Sequence, residues 1–525
     1  MKILLSDPIE KVCSDILAAE GYEVVSRPNL SPEQLKGIIA DCDVLIVRSG
    51  TKVTADIIAA APNLKIIGRA GAGVDNVDVD AATRRGIIVM NTPGGNTISA
   101  AEHTMSLLLS MARNIPQANE SIRSGKWDRK SFTGTELLEK TIGIVGLGKI
   151  GREVAIRCQA FGMTTIGYDP VLSSEVAAKS GIELVSLDEI FKRSEFITLH
   201  TPLNDETRGL INDASLVKCK TGVRIVNCAR GGIVDEQALL RGLESGKVAG
   251  AALDVFEKEP PGDQPLIKHA HLIATPHLGA STEEAQEKVA RQIAIQVVDM
   301  LKERGISGAV NGEALQLALR KELKPFVSLA EKLGSLLAQL MAGKLRKISV
   351  TCSGGFLSPS LDLVTAAVLK GALLRLTSEQ VNLVNARMIA REMGLALDEE
   401  RESDHPSYMH LVSIKYETDK EVRRFAGTVF NNVHARIVRI DDFHFEVNPE
   451  GSLLFYSNID RPGMLASVGA ILAEQRINIA GLSLGRDKPG KKALTVINVD
   501  TPVTAEVLER VGRIDGVSDV RAVEL

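Results

Sequence analysis

At 525 residues the chain has room for several domains of roughly 100 to 200 residues each. Its 62 basic and 66 acidic residues leave a formal net charge of −4, which excludes a global attraction to nucleic acid or to an anionic membrane surface. Hydrophobic residues make up 44% but aromatics only 3%, so the cores must be built from Val, Ile, Leu and Ala, a palette that suits buried parallel strands under helices.

The N-terminal "MKILLSDPIEKV" reaches Asp7 and Pro8 before a long apolar run can form. Neither a signal peptide nor an Arg-rich transit peptide is expected there, and no run of about 18 apolar residues predicts a membrane span. The six cysteines are scattered without a C-x-x-C pair, which argues against a zinc site or a disulfide framework and favours a reducing compartment. A cytoplasmic location is the expectation.

Residues 1–92 alternate short apolar runs ("KILLS", "EVVS", "DVLIVR", "KIIGRAG", "IIVMN") with helical or looped stretches, the signature of a parallel sheet with helices on its faces. "NTISAAEHTMSLLLSMARNI" follows as a long helix, with Asn96 or Thr97 as its cap. A second strand–helix series opens at Thr141 and offers six strands: "TIGIVGLG", "TTIGYDP", "FITLHTP", "GVRIVNCARGG", "VAGAALDVF" and "HLIATPH". This predicts two doubly wound α/β units in tandem, with a helix over 282–304 long enough to pack back on the first. Residues 316–341 read as one amphipathic helix. Residues 344–450 mix helices and strands as a separate α+β domain, with "LDEERESDHPSY" as an exposed loop. From Ser452 the order is β-α-β-β-α-β, a ferredoxin-like unit.

"TIGIVGLGKIGREVA" places G-x-G-x-x-G at Gly146, Gly148 and Gly151 between a strand and a helix. Gly146 suits the tight turn, Gly148 the approach of a pyrophosphate to the backbone, and Gly151 close helix–strand packing. The helix N-terminus then faces the phosphates. Asp169, at the end of the next strand, can accept hydrogen bonds from ribose hydroxyls. With no Arg or Lys just after it, the motif favours NAD over NADP.

Ligands of open parallel sheets sit beyond the carboxyl ends of the strands. Those ends carry His200-Thr201-Pro202, Ala229-Arg230, Asp254 and His277. Oxidising an alcohol with NAD requires a base for the hydroxyl proton, and histidine, with a pKa near about 6.5, suits. An arginine can hold a substrate carboxylate through two parallel hydrogen bonds. Residue types alone leave His200 and His277 both open as the base, and Glu257, Glu259, Asp254 and Glu283 all open as its partner.

"VGLGKIGREVA", "NCARGGIVDEQAL", "GAALDVFEKEP" and "TPHLGASTEEAQ" resemble the D-isomer-specific 2-hydroxyacid dehydrogenase family over about residues 1–308. "IDRPGMLASVG" with "INIAGL" resembles an ACT domain. The resemblance implies four parts: a substrate-binding domain at 1–95 plus 282–308, a Rossmann NAD-binding domain at 96–281, an intervening α+β domain at 309–450 and an ACT domain at 452–525. It assigns the acid/base to His277, its partner to Glu259 and the substrate carboxylate to Arg230. His200 becomes a structural residue. Cofactor contacts fall on Gly146, Gly148, Lys149, Ile150, Gly151, Asp169, Thr201, Cys228, Ala229, Asp254, Gly279 and Ala280. A phosphorylated substrate needs further cations, expected at Arg48, with Ser49, and Arg69. "KWDRKS" adds Arg129 and Lys130, with a neighbouring subunit as the place they would reach.

The implied activity is NAD-dependent oxidation of 3-phospho-D-glycerate to 3-phosphooxypyruvate, which opens serine synthesis. The alternatives are a dehydrogenase of another D-2-hydroxyacid, such as glycerate or glyoxylate, and a non-enzymatic NAD-sensing scaffold. The ACT resemblance implies a possible L-serine effector at Asn458, Asp460 and Asn478 on a dimer interface, in a homo-oligomer expected to be a tetramer. No metal is expected.

Overall fold

The computed structural model describes residues 1–525, except for the side chains of residues 313 and 314. Five short strands form the first sheet, in the order Glu23–Ser26, Lys2–Leu5, Val44–Val47, Ile66–Arg69, Ile88–Met90. Every pair is parallel. Val44–Val47 is buried throughout, which is why it reads as a continuous apolar run rather than an alternating one. The strand order reverses between Lys2–Leu5 and Val44–Val47, so a crevice opens there beyond the strand ends. Asp7 and Arg48 follow those two strands.

The second sheet has seven parallel strands, ordered Leu272–Ala274, Val248–Leu253, Val223–Asn227, Phe196–Leu199, Thr141–Val145, Thr164–Tyr168, Glu183–Leu184. Six are the expected ones. Glu183–Leu184 is an addition, a two-residue edge strand too short for an apolar pattern. Here the reversal falls between Thr141–Val145 and Phe196–Leu199, which places the glycine turn beside His200 and Thr201.

Two helices tie the units together. Thr97–Ala112 lies on the second sheet, with Leu107, Leu108 and Met111 in its core. Glu283–Leu301 returns to the first, burying Val289, Ile293 and Val297 against Ile3, Leu5 and Ile46. Thr282 caps it, accepting a hydrogen bond from the Ala285 N–H. The chain then runs along the free side of Ile88–Met90. Val310 N–H donates to Val89 O, Asn91 N–H to Gly308 O, and Val89 N–H to the Asn311 side chain.

Beyond this linker the expected single helix over 316–341 is two, Glu313–Ala318 and Lys324–Leu340. Pro325 explains the break: lacking an N–H, it fits only the first turn of a new helix. A six-stranded sheet follows, ordered Ala396–Glu402, Leu345–Ser353, Leu411–Thr418, Val422–Phe430, His434–Ile440, Phe443–Val447. The first two of these correct the sequence reading. "ALDEERE" is a strand and not the start of a loop. It pairs in parallel with Leu345–Ser353 at the sheet edge, where charge is favoured because it discourages further pairing.

The last unit is a four-stranded antiparallel sheet ordered Ile479–Arg486, Lys492–Val499, Ser452–Ile459, Val517–Glu524. One face carries the helices Met464–Glu474 and Ala505–Gly512. The other places Leu453, Phe455, Leu494 and Val496 in the same core as the helix Lys324–Leu340. Among the described residues no helix is long and apolar enough to cross a membrane.

Candidate active site

The carboxyl ends of both parallel sheets line one cleft of about 290 Å³. Arg48, Ser49, Arg69 and the loop through Asp75 come from the first sheet. Ile150, His200–Pro202, Cys228–Arg230, His277, Gly279 and Ala280 come from the second.

At the glycine turn Gly146 has φ +92°, a conformation that side chains resist, and a Cβ there would lie 2.6 Å from His200 O. Gly148 faces open space before the helix Lys149–Ala160, so the first-turn N–H groups are approachable. Lys149 Nζ donates to Pro93 O at 3.4 Å and bridges toward the first unit. Asp169 accepts from the N–H groups of Leu147, Val171 and Leu172 at 2.9 to 3.0 Å. Burial pushes its pKa up, but these donors hold it below the usual carboxylate range. A carboxylate has about four acceptor sites, which leaves room for a ribose hydroxyl. Thr201 Oγ1 and Asn96 Oδ1 are buried without a hydrogen-bond partner. Orphaned acceptors beside an open glycine turn fit a bound dinucleotide.

The two strand-end histidines differ sharply. His277 Nδ1 lies 2.9 Å from Glu259 Oε2, and Glu259 Oε1 accepts from the Phe256 N–H at 3.2 Å. The Glu259 carboxylate raises the His277 pKa, against burial, which lowers it. His200 has no carboxylate. Its Nε2 meets Thr198 Oγ1 at 2.9 Å, and burial pushes its pKa down to about 4. Of the four acids left open in the sequence, only Glu259 bonds the His277 ring, while Asp254 accepts the His277 N–H on its backbone oxygen at 2.9 Å. Glu257 instead receives its contact through its backbone, its N–H donating to Glu236 Oε1.

Asp254 lies under the loop that carries His277. It is 1% exposed, does not line the cleft, and supports that loop. Oδ1 accepts from Thr275 Oγ1 at 2.6 Å and from the Leu278 N–H at 2.7 Å, and Oδ2 from the Gly279 N–H at 2.9 Å. His103 Nε2, on the helix Thr97–Ala112, lies 3.1 Å from Oδ1. This network holds His277 at φ +56°, a strained backbone of the kind that clusters at active sites. Neither Thr275 nor His103 stood out in the sequence, since their contacts join residues 21 and more positions apart. Cys228 is no nucleophile, as burial pushes its thiol to about 12.

Three guanidinium groups converge on the cleft. Arg230 Nε lies 2.9 Å from Asp75 Oδ2. Arg69 donates from Nε to Asn76 Oδ1 at 2.9 Å, and Arg48 from Nη1 to Gln286 Oε1 at 3.2 Å. Burial first, then the charge of Arg230, lowers Arg69 to about 10. Asp75, Asn76 and Gln286 were not picked out from the sequence. Arg129 does not join this group. It sits on an exposed loop and does not line the cleft of its own chain. In the last unit, Asn458 Oδ1 accepts from Thr495 Oγ1, Asp460 pairs with Arg486, and Asn478 Nδ2 donates to Asp500 Oδ2. Within one chain the three have different partners.

Residues 105–279 match the family described as D-isomer specific 2-hydroxyacid dehydrogenase, NAD binding domain. Residues 322–441 match the D-3-phosphoglycerate dehydrogenase intervening domain, and residues 452–516 the ACT domain. A D-3-phosphoglycerate dehydrogenase of Archaeoglobus fulgidus is 44% identical across all of both chains. One of Rattus norvegicus is 54% identical over 396 residues, which is 75% of this chain and 74% of the rat protein. The crystal structure of a glyoxylate reductase from Paecilomyes thermophila superposes with a TM-score of 0.55 at 33% identity, covering 59% of this chain and 98% of the reductase.

Proposed function

The chain belongs to the D-3-phosphoglycerate dehydrogenases within the D-isomer-specific 2-hydroxyacid dehydrogenase family, and on that premise we propose how its cleft oxidises 3-phospho-D-glycerate to 3-phosphooxypyruvate, the first step of L-serine synthesis. NAD is the cofactor and, when bound, supplies the acceptor for the hydride leaving the substrate carbon. Gly146, Gly148 and the N-terminus of the following helix receive its pyrophosphate, and Asp169 its adenine ribose. A 2′-phosphate would face the Asp169 carboxylate, so NADP should be a poor substitute.

Arg230 binds the substrate carboxylate. Arg48 and Arg69 receive the phosphate. His277 takes the hydroxyl proton on Nε2 while Nδ1 stays bonded to Glu259, which fixes the tautomer and stabilises the imidazolium that forms. The observation that carries this reading is the convergence of three cations with a carboxylate-paired histidine in one cleft. A two-anion substrate matches three arginines; a glycerate or lactate would leave two of them without a counter-charge.

Steady-state rates with NAD on 3-phospho-D-glycerate, D-glycerate and D-lactate test the reading. The phosphorylated acid should give the highest kcat/KM, and equal or better turnover of the others would overturn it. Arg48→Met should raise the KM for the phosphorylated acid by about tenfold or more without changing NAD affinity. We further read the protein as a cytoplasmic homotetramer, with the solvent-exposed Trp127, Ile115 and Ile122 available to a neighbouring subunit. L-Serine is the candidate effector of the last unit, and calorimetry with serine on the whole protein tests that part separately.

A further inference from the structure

We propose that Asp75 is an internal competitor for the substrate: its carboxylate holds Arg230 across the cleft in the free enzyme and must be displaced by the substrate's own carboxylate. The inference rests on the reading of Arg230 as the group that receives that carboxylate.

Three observations carry it. The contact bridges the two halves of the cleft: Asp75 belongs to the loop after the strand Ile66–Arg69 of the first sheet, and Arg230 follows the strand Val223–Asn227 of the second. It is also a built contact. The pair packs over Gly73, where a Cβ would meet Arg230 Nη2 and lie 2.7 Å from Asp75 Oδ2, so a side chain there would have to push the pair aside. Finally, Asp75 is the acid free to move. Asp7, the other acid beside these arginines, is 3% exposed and fully engaged, accepting from the Arg48 N–H, the Thr51 N–H and Thr51 Oγ1. Asp75 is exposed, lines the cleft, and has no comparable backbone commitment among the described contacts.

The charge arrangement explains why such a group belongs there. Three guanidinium groups facing one cavity repel each other when no substrate anion is present, and Arg69 feels both Arg230 and Arg48. Asp75 offsets that repulsion in the free enzyme. It also consumes Arg230 donor capacity: Nε faces Asp75 while Nη1 donates to the backbone oxygen of Ala229 at 2.7 Å. A substrate carboxylate that pairs side-on with Nε and Nη2 must take the Nε position from Asp75.

The cost of vacating Arg230 arises before any substrate contact, so it falls equally on every 2-hydroxyacid. Asp75→Asn should therefore lower KM for 3-phospho-D-glycerate and for D-glycerate by the same factor, about twofold to fivefold for a partly exposed pair. In an Arg230→Gln background the Asp75 substitution should change nothing, because its effect runs through that guanidinium. A raised KM in Asp75→Asn would mean that Asp75 orients Arg230 rather than competing for it, and would overturn the proposal. Unequal factors for the two acids would overturn it as well, by pointing to a direct effect on the phosphate. Arg230→Gln alone separates the two levels. If it leaves KM unchanged, the carboxylate assignment itself falls. If it raises KM while Asp75→Asn does not lower it, only the competitor falls.

Discussion

His200 and His277 follow two strands of the same sheet, each within two residues of a proline, and in sequence they look equivalent. In the fold they are opposites. His200 is half-buried at the cleft wall, bonded to a threonine and held neutral by burial. His277 reaches solvent in a strained loop, bonded to a carboxylate that raises its pKa. Position at a strand end thus delivers a side chain to the cleft. The partner, brought from 18 residues away, decides whether that side chain can carry a proton.

The largest expected effect falls on His277. His277→Asn should lower kcat by about 10² or more, with NAD binding followed by fluorescence titration near normal. A comparable loss in His200→Asn instead would reverse the comparison at its root. Glu259→Gln comes next, lowering kcat by about tenfold and moving the pH profile. The neutral imidazole is the form that accepts the proton, so oxidation is lost as pH falls through the His277 pKa. Glu259 raises that pKa, and its removal should shift the acidic limb of the kcat profile to lower pH. Thr275→Val deletes one donor to Asp254 but leaves Glu259 in place. It should cost about threefold to tenfold in kcat with the acidic limb unmoved, which separates loop support from proton chemistry. The smallest change is expected of His200→Asn, within about threefold in kcat and without a pH shift across the neutral range, since the native ring is already neutral there.

Much of the architecture was legible because buried parallel strands are written as unbroken apolar runs. All five strands of the first sheet and six of the seven in the second could be read, most of them in this way, though Glu23–Ser26 has no buried residue. Glu183–Leu184 escaped by being two residues long, and Ala396–Glu402 because an edge strand can carry charge on most of its residues. Pro325 was visible, yet the apolar periodicity on both sides of it suggested one helix where there are two. In the site, the glycine motif and the Asp169 that follows it are local and could be read. The selection of His277 came from family resemblance, because its pairing with Glu259 depends on a loop whose shape no spacing rule describes. Asp254 shows the same limit. Its position after a strand suggested a cleft residue, whereas four donors converge on it beneath the surface. The contacts from His103, Gln286 and Asp75 are all tertiary.

The linker at residues 308–311 bears on solubility. Ile88–Met90 is the outermost strand of its sheet, and an uncovered outer strand offers its backbone groups to any passing chain. Here Gly308, Val310 and Asn311 answer those groups before a stranger can. The stretch that tethers the C-terminal half is thus also a stopper for the catalytic half. A chain cut just ahead of Gly308 would keep every residue of the cleft and still gain a sticky border along which copies could polymerise.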